Sequence, residues 1–301
     1  MLHWAALAST TAKHSNTMDR LQHFRTLYAN LTVARIGITD PDSRLRAAFA
    51  STPRERFIGP GPWRIFTPAG YVETVSDDPA MLYQDVVVAL KHGSPINNGQ
   101  PTLHAACLEA LKIKEGETII HVGAGTGYYT ALLAQLTGVS GPVFAYEIEA
   151  DLAGRASANL ADLPNVTVYT RSGVDAPLPG CDIIYVSAGA TEPMAVWLDA
   201  LRPGGRLLFP LTPSKGHGGM LLVTRGVAEA ETSDEIYSAR FLTQAMFIPC
   251  VGARDEDTAQ KLADAFQRGG IVEVRSLHRH SPPDETCWCA GSDWWLSKSP
   301  A

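Results

Sequence analysis

The sequence predicts an α/β domain built on a mostly parallel sheet, and three observations predict it. Short runs rich in β-branched residues, at 118–122, 143–146, 166–169, 183–187 and 206–209, alternate with helical stretches, which is the pattern of parallel βαβ units. The first of these runs passes at once into Gly123-Ala124-Gly125-Thr126-Gly127 and then into a helix. The 301 residues are 45% hydrophobic and 19% charged, enough apolar surface for a sizeable core.

Taken in order, Met18, Leu21, Phe24, Leu27 and Leu31 recur at helical spacing and predict a helix over 18–35. A second helix over 41–50 starts at Pro41-Asp42 and ends before Pro53. Residues 59–79 are rich in Gly, Pro and aromatics and read as an irregular surface segment. A loop over 93–101 leads into a helix over 101–111 with Leu103, Cys107, Leu108 and Leu111 on one face. Beyond the glycine loop, helices are expected to about 136, over 149–160 and over 193–201. Residues 220–225 and 237–248 then face each other across an acidic turn as an antiparallel hairpin at the sheet edge. A last helix covers 256–268, and 271–277 and 287–296 read as strands, with Trp288, Trp294 and Trp295 suggesting a hairpin around Gly291-Ser292. The division expected is an N-terminal cap over 1–100, a cofactor domain over 101–252 and a small C-terminal α+β extension over 253–301.

Composition narrows the function. A formal charge of −6 with no basic block disfavours a nucleic-acid polyanion as partner. The five cysteines are odd in number and lie mostly in apolar runs, as in a reduced intracellular protein. Cys287 and Cys289, with His278 and His280 nearby, match no standard zinc spacing, so no metal is expected. No run of eighteen apolar residues exists, and the first residues lack a basic leader, so the expected location is cytoplasmic, without a membrane span.

The glycine loop sits between a strand end and a helix N-terminus, where backbone can approach a cofactor closely and free N–H groups are available. The next strand ends at Glu147, whose carboxylate can accept hydrogen bonds from both ribose hydroxyls of an adenine nucleoside. A dinucleotide, S-adenosyl-L-methionine and a plain structural turn all fit that much. The spacing Gly123-x-Gly125-x-Gly127 followed by Tyr128 departs from G-x-G-x-x-G and favours S-adenosylmethionine, which has no pyrophosphate to cradle.

From residue 36 to 252 the chain resembles the protein-L-isoaspartate O-methyltransferases. The elements are Gly37-Ile38, Pro53-Arg54-Glu55-Arg56-Phe57, Tyr83-Gln84-Asp85, Gln100-Pro101, and the loop with its flanks from Val122 to Tyr128. Residues 182–187 (DIIYVS), 201–207 (LRPGGRL) with Pro210, and Phe247-Ile248-Pro249 complete the order. The resemblance implies a Rossmann-like class I methyltransferase fold with S-adenosylmethionine as methyl donor. It implies cofactor contacts from His121, Gly123, Gly125, Thr126, Gly127, Tyr128, Glu147, Ser172 and Gly173.

Three positions depart from the family pattern. Ser172 stands where the family has an Asp for the adenine amino group, and His121 where it has an acid. Gly99 stands where it has a Ser or Thr close to the substrate carboxylate. The polar groups near the methyl would then be Asn97, Asn98 and Gln100, with Asn98 and Gln100 as the candidate positioning pair, although an Asn-Gly turn can also simply satisfy itself. Trp63, Phe66 and Tyr71 could line a substrate cleft or pin a surface loop.

A carboxylate acceptor is already ionised at neutral pH and needs no general base. An amine or phenol acceptor would need one, and His92, His104 or Tyr83 are the candidates. The expected activity is methyl transfer to a carboxylate of a peptide or protein. The alternatives are the tailoring of a small-molecule or ribosomal-peptide acid, and a non-catalytic cofactor-binding regulator.

Overall fold

The computed structural model describes residues 2–175, 177–227 and 235–301, with side chains in the first helix from residue 19 onward. The chain divides into two compact units, Met1–Ala106 and Cys107–Ala301.

The first unit is helical, with one small hairpin. Its helices are α1 (Leu2–Arg35), α2 (Arg44–Ser51) and α3 (Arg54–Ile58). Ser43 caps α2, its hydroxyl accepting the Arg46 N–H at 3.4 Å. The segment expected to be irregular instead holds an antiparallel pair, β1 (Arg64–Thr67) and β2 (Gly70–Glu73). Phe66 packs edge-on to Tyr71, and the Trp63 indole N–H donates to the Gly59 carbonyl, so aromatic contacts within the segment order it.

Arg54 explains why the 53–57 block matters. Its guanidinium is fully buried and donates to the carbonyls of Leu82, Gln84 and Val86 at 2.6 to 2.9 Å, strapping the 82–86 segment to α3. Tyr83 donates to the Glu55 carboxylate, and Arg25 of α1 donates to the Tyr83 hydroxyl at 3.0 Å. Two motifs thirty residues apart are thus one hydrogen-bonded structure.

Helix α4 (Pro101–Leu111) leads into the second unit, a ten-stranded mixed sheet. Its strands are β3 (Ile119–Val122), β4 (Val143–Tyr146), β5 (Val166–Tyr169), β6 (Cys181–Val186), β7 (Leu201–Leu211), β8 (Gly218–Arg225), β9 (Glu235–Ala245), β10 (Ser276–Arg279), β11 (Cys287–Ala290) and β12 (Trp294–Ser297). Helices α5 (Tyr128–Thr137), α6 (Ala150–Asn159), α7 (Ala195–Ala200) and α8 (Glu256–Arg268) accompany them. The order is β11-β12-β10-β9-β8-β7-β6-β3-β4-β5, with parallel pairing from β5 to β7 and antiparallel pairing beyond. All four residues of β3 are buried, as a central parallel strand requires. The chain runs from β3 outward through β4 and β5, then returns to β6 on the other side. The end of β3 is therefore the topological switch point where ligands bind in open α/β sheets.

Two C-terminal expectations change. The antiparallel hairpin β8–β9 is present, but β10 pairs with β9, so the sheet continues past it and ends at β11. The acidic turn between β8 and β9, at 228–234, lies outside the described residues. The strand expected over 271–277 begins only at Ser276, because Gly269 and Gly270 at φ +79° and +77° lead into a single 3-10 turn over Ile271–Glu273. The run 287–296 splits into β11 and β12. At Gly291 between them a Cβ would stand 2.2 Å from the Trp294 indole nitrogen, so only glycine lets the chain turn there. Trp288 packs edge-on to Phe241 and Phe266, and all three tryptophans of this region are buried in the unit's own core.

Candidate functional site

The glycine loop closes the switch point by backbone geometry. Gly123 N–H and Ala124 N–H both donate to the Tyr146 carbonyl at the end of β4, at 2.9 and 3.1 Å. Gly123, Gly125 and Gly127 all have positive φ, of +76°, +57° and +95°. At Gly127, the N-cap of α5, a Cβ would stand 2.7 Å from Leu160 Cδ1, so α5 and α6 approach closely only because it is bare. Thr126 and Tyr128 are buried, and the Thr126 carbonyl accepts the Asn159 amide at 3.0 Å, a tie to α6 that no sequence motif signals.

Glu147 sits one residue beyond β4. It is 6% exposed, and its two oxygens accept the N–H groups of Gly125 (2.7 Å) and Glu149 (2.9 Å). Burial pushes its carboxyl above the usual glutamate range, against the pull of those backbone N–H groups. A carboxylate has about four lone-pair sites. The N–H groups of Gly125, Glu149 and Ile148 draw on three of them, which leaves acceptor capacity for a ligand hydroxyl.

Gly173 is required by packing, since a Cβ there would stand 2.6 Å from Val122 Cγ2, and its carbonyl accepts the Trp197 indole N–H at 2.8 Å. Ser172 beside it accepts the Val174 N–H at 3.2 Å and caps its own turn. His121 is fully buried, its ring parallel to Tyr185, with Nδ1 2.9 Å from Thr130 Oγ1 and Nε2 3.1 Å from Ser187 Oγ. Burial pushes its pKa down to about 3, so the imidazole is neutral at physiological pH. Both ring nitrogens are spent within the protein, tying α5 to the loop after β6. Sequence reasoning missed those two partners because they lie 9 and 66 residues away.

The donor set of this loop fits S-adenosylmethionine: a bare glycine backbone at the switch point beside a buried carboxylate with acceptor capacity left for a ribose hydroxyl. No cluster of three His, Cys, Asp or Glu side chains able to hold a metal occurs among the described residues.

The other expected group lies in the first unit, in the turn before α4. Asn98 is buried; its Oδ1 accepts the Val88 N–H at 2.8 Å, and its backbone N–H donates to the Val88 carbonyl. Its Nδ2 is buried without a partner in the structure. Gln100 is exposed at its side chain and donates to Asp85 at 3.0 Å. Asp85 also accepts the Thr102 N–H at 2.9 Å and pairs with Arg35 at 2.9 Å. Burial pushes the Asp85 carboxyl up, but the bonds from Thr102 and Gln100 and the Arg35 charge outweigh it and hold the group below the usual range. The strap from Arg54 thus ends, through Asp85, at Gln100. Of the other sequence candidates, His92 is exposed and Tyr83 is committed to Glu55 and Arg25.

Comparisons with known proteins give the family. Residues 37–255 match the model of the protein-L-isoaspartate(D-aspartate) O-methyltransferase family. The chain belongs to this family. It is an S-adenosylmethionine-dependent carboxyl O-methyltransferase. Among its relatives, the protein-L-isoaspartate O-methyltransferase of Anaeromyxobacter dehalogenans is 31% identical over 216 residues, covering 70% of this chain and 93% of its own length. That of Brucella anthropi is 29% identical over 218 residues, covering 70% and 87%. Two solved structures share the fold. One, a protein-L-isoaspartate O-methyltransferase, has a TM-score of 0.61 at 21% identity over 81% of this chain and 68% of that one. The other is a beta-aspartate methyltransferase of Plasmodium falciparum in complex with S-adenosyl-L-homocysteine, with a TM-score of 0.57 at 19% identity over 75% and 97%. Among the described residues, no helix is long and apolar enough to cross a membrane.

Proposed function

We propose that this chain methylates a carboxylate of a peptide or protein, with an isoaspartyl residue as the first acceptor to test, and that the residues around Gly125 and Glu147 hold the donor. The observation that carries the reading is the Glu147 carboxylate, buried and locked by the Gly125 N–H, with acceptor capacity left for a ligand hydroxyl. S-adenosylmethionine, when bound, supplies an electrophilic methyl group on a sulfonium. Glu147 takes the ribose hydroxyls, Gly123 to Gly127 let backbone lie against the donor, Thr126 and Tyr128 shape the loop from beneath, and Ser172 and Gly173 border the adenine. His121, neutral and doubly bonded, keeps α5 in register with the loop after β6 and adds no charge.

An acceptor carboxylate is ionised at neutral pH, so the protein's task is alignment within about 3–3.5 Å and exclusion of water. Asn98 and Gln100 are assigned to that alignment, Gln100 through its hold on Asp85. Release of S-adenosylhomocysteine on addition of an isoaspartyl peptide tests the reading. Turnover with another acid and none with that peptide rejects it. A second reading, the tailoring of a small-molecule or ribosomal-peptide acid, is favoured by the bare Gly99 and by Ser172 and His121. We also assign the chain to a reducing, cytoplasmic setting: all five cysteines are free, and burial pushes the Cys107 and Cys181 thiols up to about 12. The net charge of −6 weighs against a nucleic-acid acceptor.

A further inference from the structure

The turn before α4 contains a close approach that its sequence does not announce. Gly99 has φ +69°, and a Cβ placed on it would stand 2.1 Å from His104 Nε2, 2.8 Å from Cδ2 and 3.2 Å from Cε1. The imidazole ring therefore fills the space that any side chain at position 99 would need. His104 is 2% exposed and lies in the first turn of α4, with its own N–H donating to the Gln100 carbonyl at 3.1 Å. The rest of the turn is fixed by short bonds: Asn97 Oδ1 accepts the Gly99 N–H at 2.9 Å, and Asn98 Oδ1 accepts the Val88 N–H. The Nδ2 of Asn98 is a buried donor with no partner. A buried amide donor left unmade is costly, and a carboxylate oxygen is the acceptor that suits it.

We infer that His104 is a positioning residue for methyl transfer. Its ring, seated where a residue-99 side chain would stand, sets the turn that aims Asn98 Nδ2 and Gln100 at the acceptor carboxylate. Residues 99 and 104 are a mutually exclusive pair, so the acceptor meets bare backbone at 99. The inference rests on the carboxylate reading proposed above.

A double-mutant cycle with an independent binding measurement tests it. Gly99→Ala is expected to lower the melting temperature by several degrees, and Gly99→Ala with His104→Ala to regain at least half of that loss. His104→Ala is expected to lower kcat/KM for an isoaspartyl peptide by about tenfold or more, and His104→Gln to restore part of it. Both His104 variants should bind S-adenosylhomocysteine in calorimetry as the parent does, which also shows that they are folded. Partial recovery by Gln with cofactor affinity unchanged is what a merely structural histidine would not give. Wild-type melting for Gly99→Ala, additive melting losses in the cycle, or wild-type kcat/KM for His104→Ala overturns the inference. If the parent binds S-adenosylhomocysteine yet methylates no isoaspartyl peptide, the acceptor reading fails instead, and the melting cycle alone decides whether 99 and 104 exclude each other.

Discussion

Two glycine-bearing turns, each leading into a helix, are built on opposite principles. The loop from Gly123 to Gly127 takes its shape from backbone: three positive-φ glycines, two N–H bonds to the Tyr146 carbonyl and one to Glu147. The turn from Asn97 to Gln100 takes its shape from side chains: Asn97 and Asn98 bond backbone, Asp85 holds Gln100 and Thr102, and His104 fills the space at Gly99. A backbone-built loop changes little when a side chain is exchanged. A side-chain-built turn can be retuned one residue at a time, which suits the part of an enzyme that meets a variable acceptor.

The comparison can be broken most directly at Glu147. Replacing it with Ala removes two charge-assisted acceptors, each contributing about 1.5–3 kcal/mol, and strands the Gly125 and Glu149 N–H groups. Binding of S-adenosylhomocysteine should weaken by about a hundredfold or more in calorimetry; a dissociation constant within about threefold of the parent would show that the loop, not the carboxylate, carries affinity.

Asp85→Ala probes the other turn. Freed Gln100 and Thr102 should cost about 10- to 100-fold in kcat/KM for the acceptor, with cofactor affinity unchanged. Equal loss in both parameters would mean that the two turns are not functionally separate.

Packing beneath the cofactor loop gives a smaller effect. Gly173→Ala drives a methyl into Val122, and the loss expected in chemical denaturation is about 1–3 kcal/mol.

The smallest effect is on pH. The Glu147 pKa is raised, so its carboxylate is protonated at a higher pH than an ordinary glutamate, and cofactor affinity should begin to fall at a pH above that of a free Glu side chain. The raised value also means that the free protein gains stability from this group at low pH and loses it as pH rises through the folded pKa. Asp85, held below its usual range, has the opposite sign: its contribution is present above the unfolded pKa and lost as pH falls through the folded one. His121, neutral down to about pH 3, should add no inflection between pH 5 and 8 in a titration of cofactor affinity. An inflection there that vanishes in His121→Gln would contradict its burial.

The parallel strands, the helices between them and the cofactor loop were legible in the sequence because their signals are local. A strand reads from β-branched runs, a loop from glycine spacing, and Glu147 from its place after β4. The C-terminal strands were less legible. Gly269, Gly270 and Gly291 break runs that look continuous, and β10, through which β12 and β11 join the sheet, finds its pairing partner in β9, more than thirty residues upstream in chain order.

By itself the sequence determined the fold class, the switch-point loop and its carboxylate, since each depends on neighbours within about twenty residues. Only the tertiary structure decided that His121 is spent on Thr130 and Ser187, that Arg54 straps 82–86 to α3, and that Gly99 is bare because His104 stands in its place. Those depend on excluded volume and hydrogen-bond satisfaction between residues brought together by folding, which no pattern of residue types along the chain encodes.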